Sequence, residues 1–184
     1  MGALVKSDLR GFGLGVLATV LIIPGTAYGI ILSGSISPRA DEPIQPLERW
    51  AAENSLRAYL KSNTPKTVNP LKPISADLKA GATLYVHNCA FCHGYANSST
   101  SKTAHGLYLR PPVFANDDLS EDEDGQIYWY IDHGVKLTSM PSYNKTLKEK
   151  EIWQLVLFVK NMKKLPPDVE SYWTTAAAHP VIEQ

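Results

Sequence analysis

The sequence predicts a helical protein with one membrane-spanning segment, and three observations carry that prediction. No charged residue stands between Gly11 and Pro38, a run longer than the ~20 apolar residues that a bilayer-spanning helix needs. Four later segments place apolar residues at helical spacing or follow a helix-start signal. Proline clusters punctuate the chain between them, at residues 43–46, 65–73 and 166–167.

Residues 1–10 carry Lys6 and Arg10 and read as a cytoplasmic N-terminus, and residues 11–38 read as a transmembrane signal anchor. A cleaved secretory signal is the rival, because Gly25-Thr26-Ala27 offers small residues at a cleavage site after Pro24. The apolar run continues through Tyr28, Ile30, Ile31 and Leu32, which a cleaved signal does not need, so the anchor is the favoured reading. Lys6 and Arg10 stand against a lone Arg39 that is followed by Asp41 and Glu42, which favours a cytoplasmic N-terminus. Gly11 with Gly15, and Gly25 with Gly29, stand four apart, a spacing that lets a second helix approach. Pro24 is expected to kink the span.

Residues 39–74 combine an amphipathic helix and a proline-rich linker. Pro43 and Pro46 open a segment in which Leu47, Trp50, Ala51, Leu56, Tyr59 and Leu60 recur near helical spacing, with the helix ending near Asn63. The stripe fits equally well as packing against the following domain or as a docking face for another subunit. Thr64 to Pro73 reads as a semi-rigid tether that could span about 30 Å at ~3.1 Å per residue.

Residues 75–165 form the predicted main domain. Ser75 with Asp77 marks a helix start, and Ala76 to Asn88 continues it. Gly81 within that helix costs about 1 kcal/mol relative to alanine, which suggests that another element crosses there. The crossing partner is expected to be the last helix of the domain. There Thr146 and Glu149 form a capping box ahead of an apolar face at Ile152, Leu155, Val156, Val159 and Met162. Ser120 with Glu123 is read as a second capping box, opening a helix that runs to His133, and the acidic residues around it suit a helix N-terminus. Polar residues Ser98 to Lys102 read as a surface loop. Residues 166–184 read as a C-terminal tail after Pro166-Pro167, with Tyr172 and Trp173 lying back on the domain.

The chemistry sits in Cys89-Ala90-Phe91-Cys92-His93. Two thiols three apart followed at once by an imidazole attach a c-type haem, one thiol to each vinyl group with the histidine on the iron. A thioredoxin-like pair expects a strand before it, and the preceding residues read as helix. A zinc site needs more ligands at short spacing, and the chain has only these two cysteines. One covalent haem c is therefore the expected cofactor, and no thiol remains for a disulfide. Met140 lies in the loop from Gly134 to Pro141, where Pro141 holds it extended and its thioether is the leading second iron ligand. Among the rival histidines, His87 is too close to the motif and His179 lies in the tail, while His105 and His133 stay open on spacing alone.

Residues 77–164 resemble the class I cytochromes c, through Gly81 to Gly94, His133-Gly134 to Met140-Pro141, and Glu151-Ile152-Trp153-Gln154-Leu155. The resemblance implies an all-α fold: a class I cytochrome c helical domain around one covalent haem, here preceded by an N-terminal transmembrane helix. It implies ligation by His93 and Met140, a crossing of Gly81 and Tyr85 against Leu155 and Phe158, and a carbonyl at Pro111 or Pro112 accepting the second ring N–H of His93. Arg110, Trp129 and Tyr130 are further haem-pocket candidates, Arg110 as a propionate partner. Residues 47–71 look like the extension of membrane-anchored monohaem members.

The expected function is single-electron transfer with no catalytic residue set, as a tethered carrier or as the haem subunit of a respiratory membrane oxidoreductase. Its partners are then redox proteins, and the haem domain lies on the outer, periplasmic face of a bacterial inner membrane. The alternative is a haem sensor or peroxidase whose distal ligand leaves. With 18 basic and 18 acidic residues the chain has no net field to mark a nucleic-acid binder.

Overall fold

The computed structural model describes residues 2–96, 104–114 and 116–178. Seven α-helices and a 3-10 turn at Ala104–Gly106 make up its regular structure, and no strand occurs among the described residues. The chain divides into two compact units, Met1–Arg39 and Ala40–Gln184.

The first unit is the helix α1, Gly2–Leu32. Its stretch Gly11–Leu32, 22 residues, is long and apolar enough to cross a membrane, since 1.5 Å per residue gives about 33 Å against a hydrocarbon core of about 30 Å. The helix continues through Pro24. It ends at Leu32 and not at Pro38, because the Ser33 hydroxyl turns back to the Ile30 carbonyl at 2.7 Å and Gly34 takes a left-handed φ of 72° that helices use to terminate.

In the second unit, α2 spans Pro46–Asn63 with proline at its first turn. Its stripe divides. Leu60 is buried in the domain and Tyr59 meets the Trp129 ring at 5.7 Å, whereas Leu47 and Trp50 are 74% and 63% exposed. The C-terminal end of the stripe thus packs on the following domain, while its N-terminal turn is exposed. At the exposed end the Tyr108 hydroxyl donates to Glu48 at 2.7 Å.

Residues 64–74 do not form a free tether. The Asn69 amide N–H donates to Asp124 at 2.7 Å, and its side chain donates to the Trp153 carbonyl at 2.9 Å. Gly125 lies so close to the Pro65 carbonyl that any Cβ would strike it. The prolines keep this segment extended, but the backbone N–H and the side chain of Asn69 find partners on the domain, which docks it.

The centre of the domain is the crossing of α3 (Ser75–Asn88) with α6 (Glu149–Asn161), with α5 (Asp124–His133) against α6. The crossing is as close as the sequence suggested. A Cβ on Gly81 would collide with the Gln154 carbonyl and reach 2.7 Å from the Phe158 Cβ. Tyr85, Phe158, Leu155, Val156 and Ile152 are fully buried around it.

Three helix starts differ from expectation. Ser75 is the first helical residue, behind Ile74, and its hydroxyl donates to Asp168 at 3.1 Å. The predicted helix at Ser120 begins at Asp124, with Glu123 at its N-cap position. Asp118 accepts the Ser120 N–H at 3.0 Å and Lys160 reaches the Asp122 carbonyl at 2.6 Å, so these contacts hold residues 118–123 in turns. The capping box at Thr146 shifts to Lys148, whose N–H the Glu151 carboxylate accepts at 2.7 Å, because Thr146 is already committed to a turn on the Tyr143 carbonyl.

The residues read as a tail form α7, Pro167–Ala178, which packs on α3. Val169 is fully buried, and Trp173 is 3% exposed with its ring 5.4 Å from Tyr85 and 5.2 Å from Phe158. Lys79 pairs with Asp168 at 2.8 Å and, by that hydrogen bond, holds its carboxyl below the usual range. The domain core thus extends past Leu165. Trp173→Ala is expected to cost about 3–5 kcal/mol, read as a shift of the urea midpoint of the full chain in detergent. An unchanged midpoint would remove α7 from the core.

Candidate functional site

A cavity of about 390 Å3 opens beside α3, α5 and α6, and Cys89, Cys92, His93 and Met140 all line it. The rest of its wall is largely apolar, including Leu107, Leu109, Ile127, Ile131, Leu155 and Val159.

The motif occupies one wall because of its spacing. Cys89 closes α3, and the chain makes one further turn as α4, Ala90–His93. The Cys92 and His93 N–H groups both donate to the Cys89 carbonyl, at 3.0 and 2.9 Å. Positions i, i+3 and i+4 of a helical turn share a face, which sets both thiols and the imidazole together. Gly94 then leaves the turn at φ 90°, a conformation side chains disfavour. The Tyr85 hydroxyl donates to the Gly94 carbonyl at 3.0 Å. Burial pushes the Cys89 thiol up to about 12 and raises that of Cys92 as well.

His93 is oriented from both sides. Its Nδ1 lies 2.9 Å from the Pro112 carbonyl, so the choice between Pro111 and Pro112 falls on Pro112. Its ring stacks on Phe114, with centroids 4.4 Å apart and planes 10° apart. Burial lowers its pKa while the Pro112 bond raises it, burial being the larger effect. The ring is thus held as neutral imidazole with the proton on Nδ1, which leaves Nε2 as a lone-pair donor. Phe114 was missed in the sequence. Its only signal there is an aromatic placed two residues beyond a carbonyl that itself was known only as one of two.

The Met140 loop is closed by its own hydrogen bonds. The Val135 N–H donates to the Met140 carbonyl at 3.2 Å, and the Thr138 hydroxyl donates to the Val135 carbonyl at 2.7 Å while accepting the Met140 N–H at 3.1 Å. Gly134 sits at φ 66°, and a Cβ there would come within 2.6 Å of the Met140 carbonyl oxygen. Leu137, 91% exposed, also has a left-handed φ of 64°.

Arg110, Pro111, Pro112 and Tyr130 line the cavity. Trp129 does not. It stacks on His133 at 5.0 Å and lies against Tyr59, because neighbouring residues on a helix point about 100° apart and Tyr130 has the inward direction. Tyr128 packs on Trp153 at 4.3 Å. Tyr143, not singled out in the sequence, lines the cavity and donates its hydroxyl to the Asn88 carbonyl at 2.7 Å. Burial pushes its phenol up to about 12. Of the rival histidines, His87 and His105 are exposed, and His133 pairs with Asp132 at 3.1 Å; none lines the cavity. His179 and the loop Ser98 to Lys102 lie outside the described residues.

Two thiols and a neutral imidazole in one wall, a thioether in the lining and an apolar interior make a donor set that fits haem c. Residues 76–159 match the family model described as cytochrome c oxidase, cbb3-type, subunit III. Comparison with curated proteins and with solved structures gave no match. Taken with the helical architecture and the cavity, the match over residues 76–159 supports a class I c-type cytochrome domain there, a haem-based electron-transfer domain, and implies covalently bound haem c as its cofactor.

Proposed function

We propose that the chain passes single electrons between redox proteins as a membrane-anchored monohaem cytochrome, with thioether bonds from Cys89 and Cys92 and axial iron ligation by His93 and Met140. The observation that carries this reading is the convergence of these four side chains on one apolar cavity. Haem c supplies a ferric/ferrous couple there. His93 offers Nε2 to the iron, and its Nδ1–H bond to Pro112 fixes the ring and raises its basicity. The Met140 thioether favours the ferrous state and so raises the potential. Were His93 and Met140 both to hold the iron, no position would be open for a substrate, which suits a carrier. Arg110 at the cavity supplies a guanidinium suited to a propionate.

The apolar helix Gly11–Leu32 serves as the anchor in this reading. The basic residues Lys6 and Arg10 support a cytoplasmic N-terminus, with the haem domain on the outer face of a bacterial inner membrane. A place as a fixed haem subunit of a membrane oxidoreductase is favoured over a roaming carrier. The family description names an oxidase subunit, and the docking of residues 64–74 on the domain shortens the tether.

Replacing Cys89 and Cys92 together by alanine is expected to abolish haem staining of the denatured chain on a gel. Staining that survives would end the covalent assignment. For the subunit role, native membranes extracted in mild detergent are expected to show the haem-stained chain migrating within a larger complex. Migration of the chain alone would favour the tethered carrier.

A further inference from the structure

We infer that Tyr143 is a positioning residue that braces the distal loop against the haem-attachment motif, and so controls how firmly the Met140 thioether is held. This rests on the reading of Met140 as an iron ligand. Tyr143 follows Met140 by three residues, and three contacts fix it. Its backbone N–H donates to the Ile131 carbonyl at 3.1 Å, which ties the loop to α5. Its ring lines the cavity. Its hydroxyl donates to the Asn88 carbonyl at 2.7 Å, the residue immediately before Cys89.

The Asn88 carbonyl is available because α3 ends there. The Cys89 N–H still donates to Tyr85, but the next turn belongs to α4 and uses the Cys89 and Ala90 carbonyls as its acceptors. A helix end leaves carbonyls without an intrahelical partner, and Tyr143 satisfies this one from 55 residues away. At the other end of the motif Tyr85 holds the Gly94 carbonyl. The Tyr143 bond joins the motif to the segment carrying Met140. Inside that segment, Thr138 locks the Met140 N–H and the Val135 carbonyl. The loop thus moves as a unit whose separation from the motif is set by the phenol.

The test uses the full holo-chain in detergent and follows displacement of the thioether by exogenous imidazole, read as loss of the thioether-to-ferric charge-transfer band. Tyr143→Phe keeps the ring and removes one hydrogen bond, and is expected to tighten imidazole binding about fivefold, the factor one net hydrogen bond is worth. Tyr108→Phe removes a different phenol bond between segments, the one to Glu48, and is expected to leave imidazole affinity unchanged. Equal affinities for wild type and Tyr143→Phe would overturn the brace, as would equal tightening in both variants, which reports general loosening. Should Tyr143→Phe not fold, proton NMR of the wild-type protein decides, with a slowly exchanging Tyr143 hydroxyl resonance expected near Asn88 and its absence sinking the proposal. The ligand reading is tested apart, by whether the band survives Met140→Ala.

Discussion

Met140→Ala is expected to abolish the thioether-to-ferric charge-transfer band, to let carbon monoxide bind the ferrous protein, and to lower the reduction potential by on the order of 100 mV or more, within the roughly 0.8 V over which axial ligands tune haem. The loop geometry makes the substitution selective. The Met140 N–H and carbonyl are held by Thr138 and Val135, and those are backbone contacts that alanine keeps. Gly134, whose missing Cβ makes room for the Met140 carbonyl, is untouched. The fold is therefore expected to persist while the soft ligand is lost. Retention of the band, with no carbon monoxide adduct, would transfer the second ligand to another side chain. Because the histidines other than His93 among the described residues lie off the cavity, such a result would also require the distal loop to rearrange.

Gly81→Val carries the largest expected loss of stability. A single Cβ at this position meets the Gln154 carbonyl and the Phe158 Cβ, and neither is the free end of a flexible side chain. The α3 and α6 backbones would have to separate. That would also pull Tyr85 from Phe158 and Trp173, whose rings lie 5.5 and 5.4 Å from it. Overpacking of this kind costs about 3 kcal/mol or more, and here it lies on the helix that leads into Cys89. The expected readouts are a lower urea midpoint and a lower yield of haem-loaded chain. Gly106→Ala is the control. It has open space and no left-handed φ, so its effect is expected to stay within about 0.5 kcal/mol. Equal behaviour of the two variants would mean that the crossing is not tight.

The two predictions differ in how they could be foreseen. Gly81 was visible as a glycine interrupting an otherwise helical pattern, because a cost in propensity has to be offset by something close. Met140 was visible as a thioether held extended by Pro141 in a loop, yet at the level of residues His105 and His133 competed with it. Only packing separates them. His133 turns to Asp132 and Trp129, and His105 sits exposed on its 3-10 turn. Trp129 shows the reverse case. An aromatic beside Tyr130 and Ile131 looks like a cavity residue until the helix phase is known, and that phase depends on which residue begins α5. The acidic run suggested Ser120; Asp118 and Lys160 move the start to Asp124.

The sequence by itself determined what depends on neighbours along the chain. It placed an apolar span within residues 11–38, the helix at Ala76 to Asn88, the shared face of Cys89, Cys92 and His93, and the proline after Met140, since periodicity, capping and motif spacing act over a few residues; the end of the span at Leu32 came from the structure. Tertiary structure decided what depends on contacts between distant segments. Those include the docking of residues 64–74 through Asn69, the burial of Trp173 and Val169 in the core, the choice of the Pro112 carbonyl for His93, and the Tyr143 bond to Asn88. In each of these a polar or aromatic group finds a partner that the chain brings back from elsewhere, and no local pattern encodes which partner that will be.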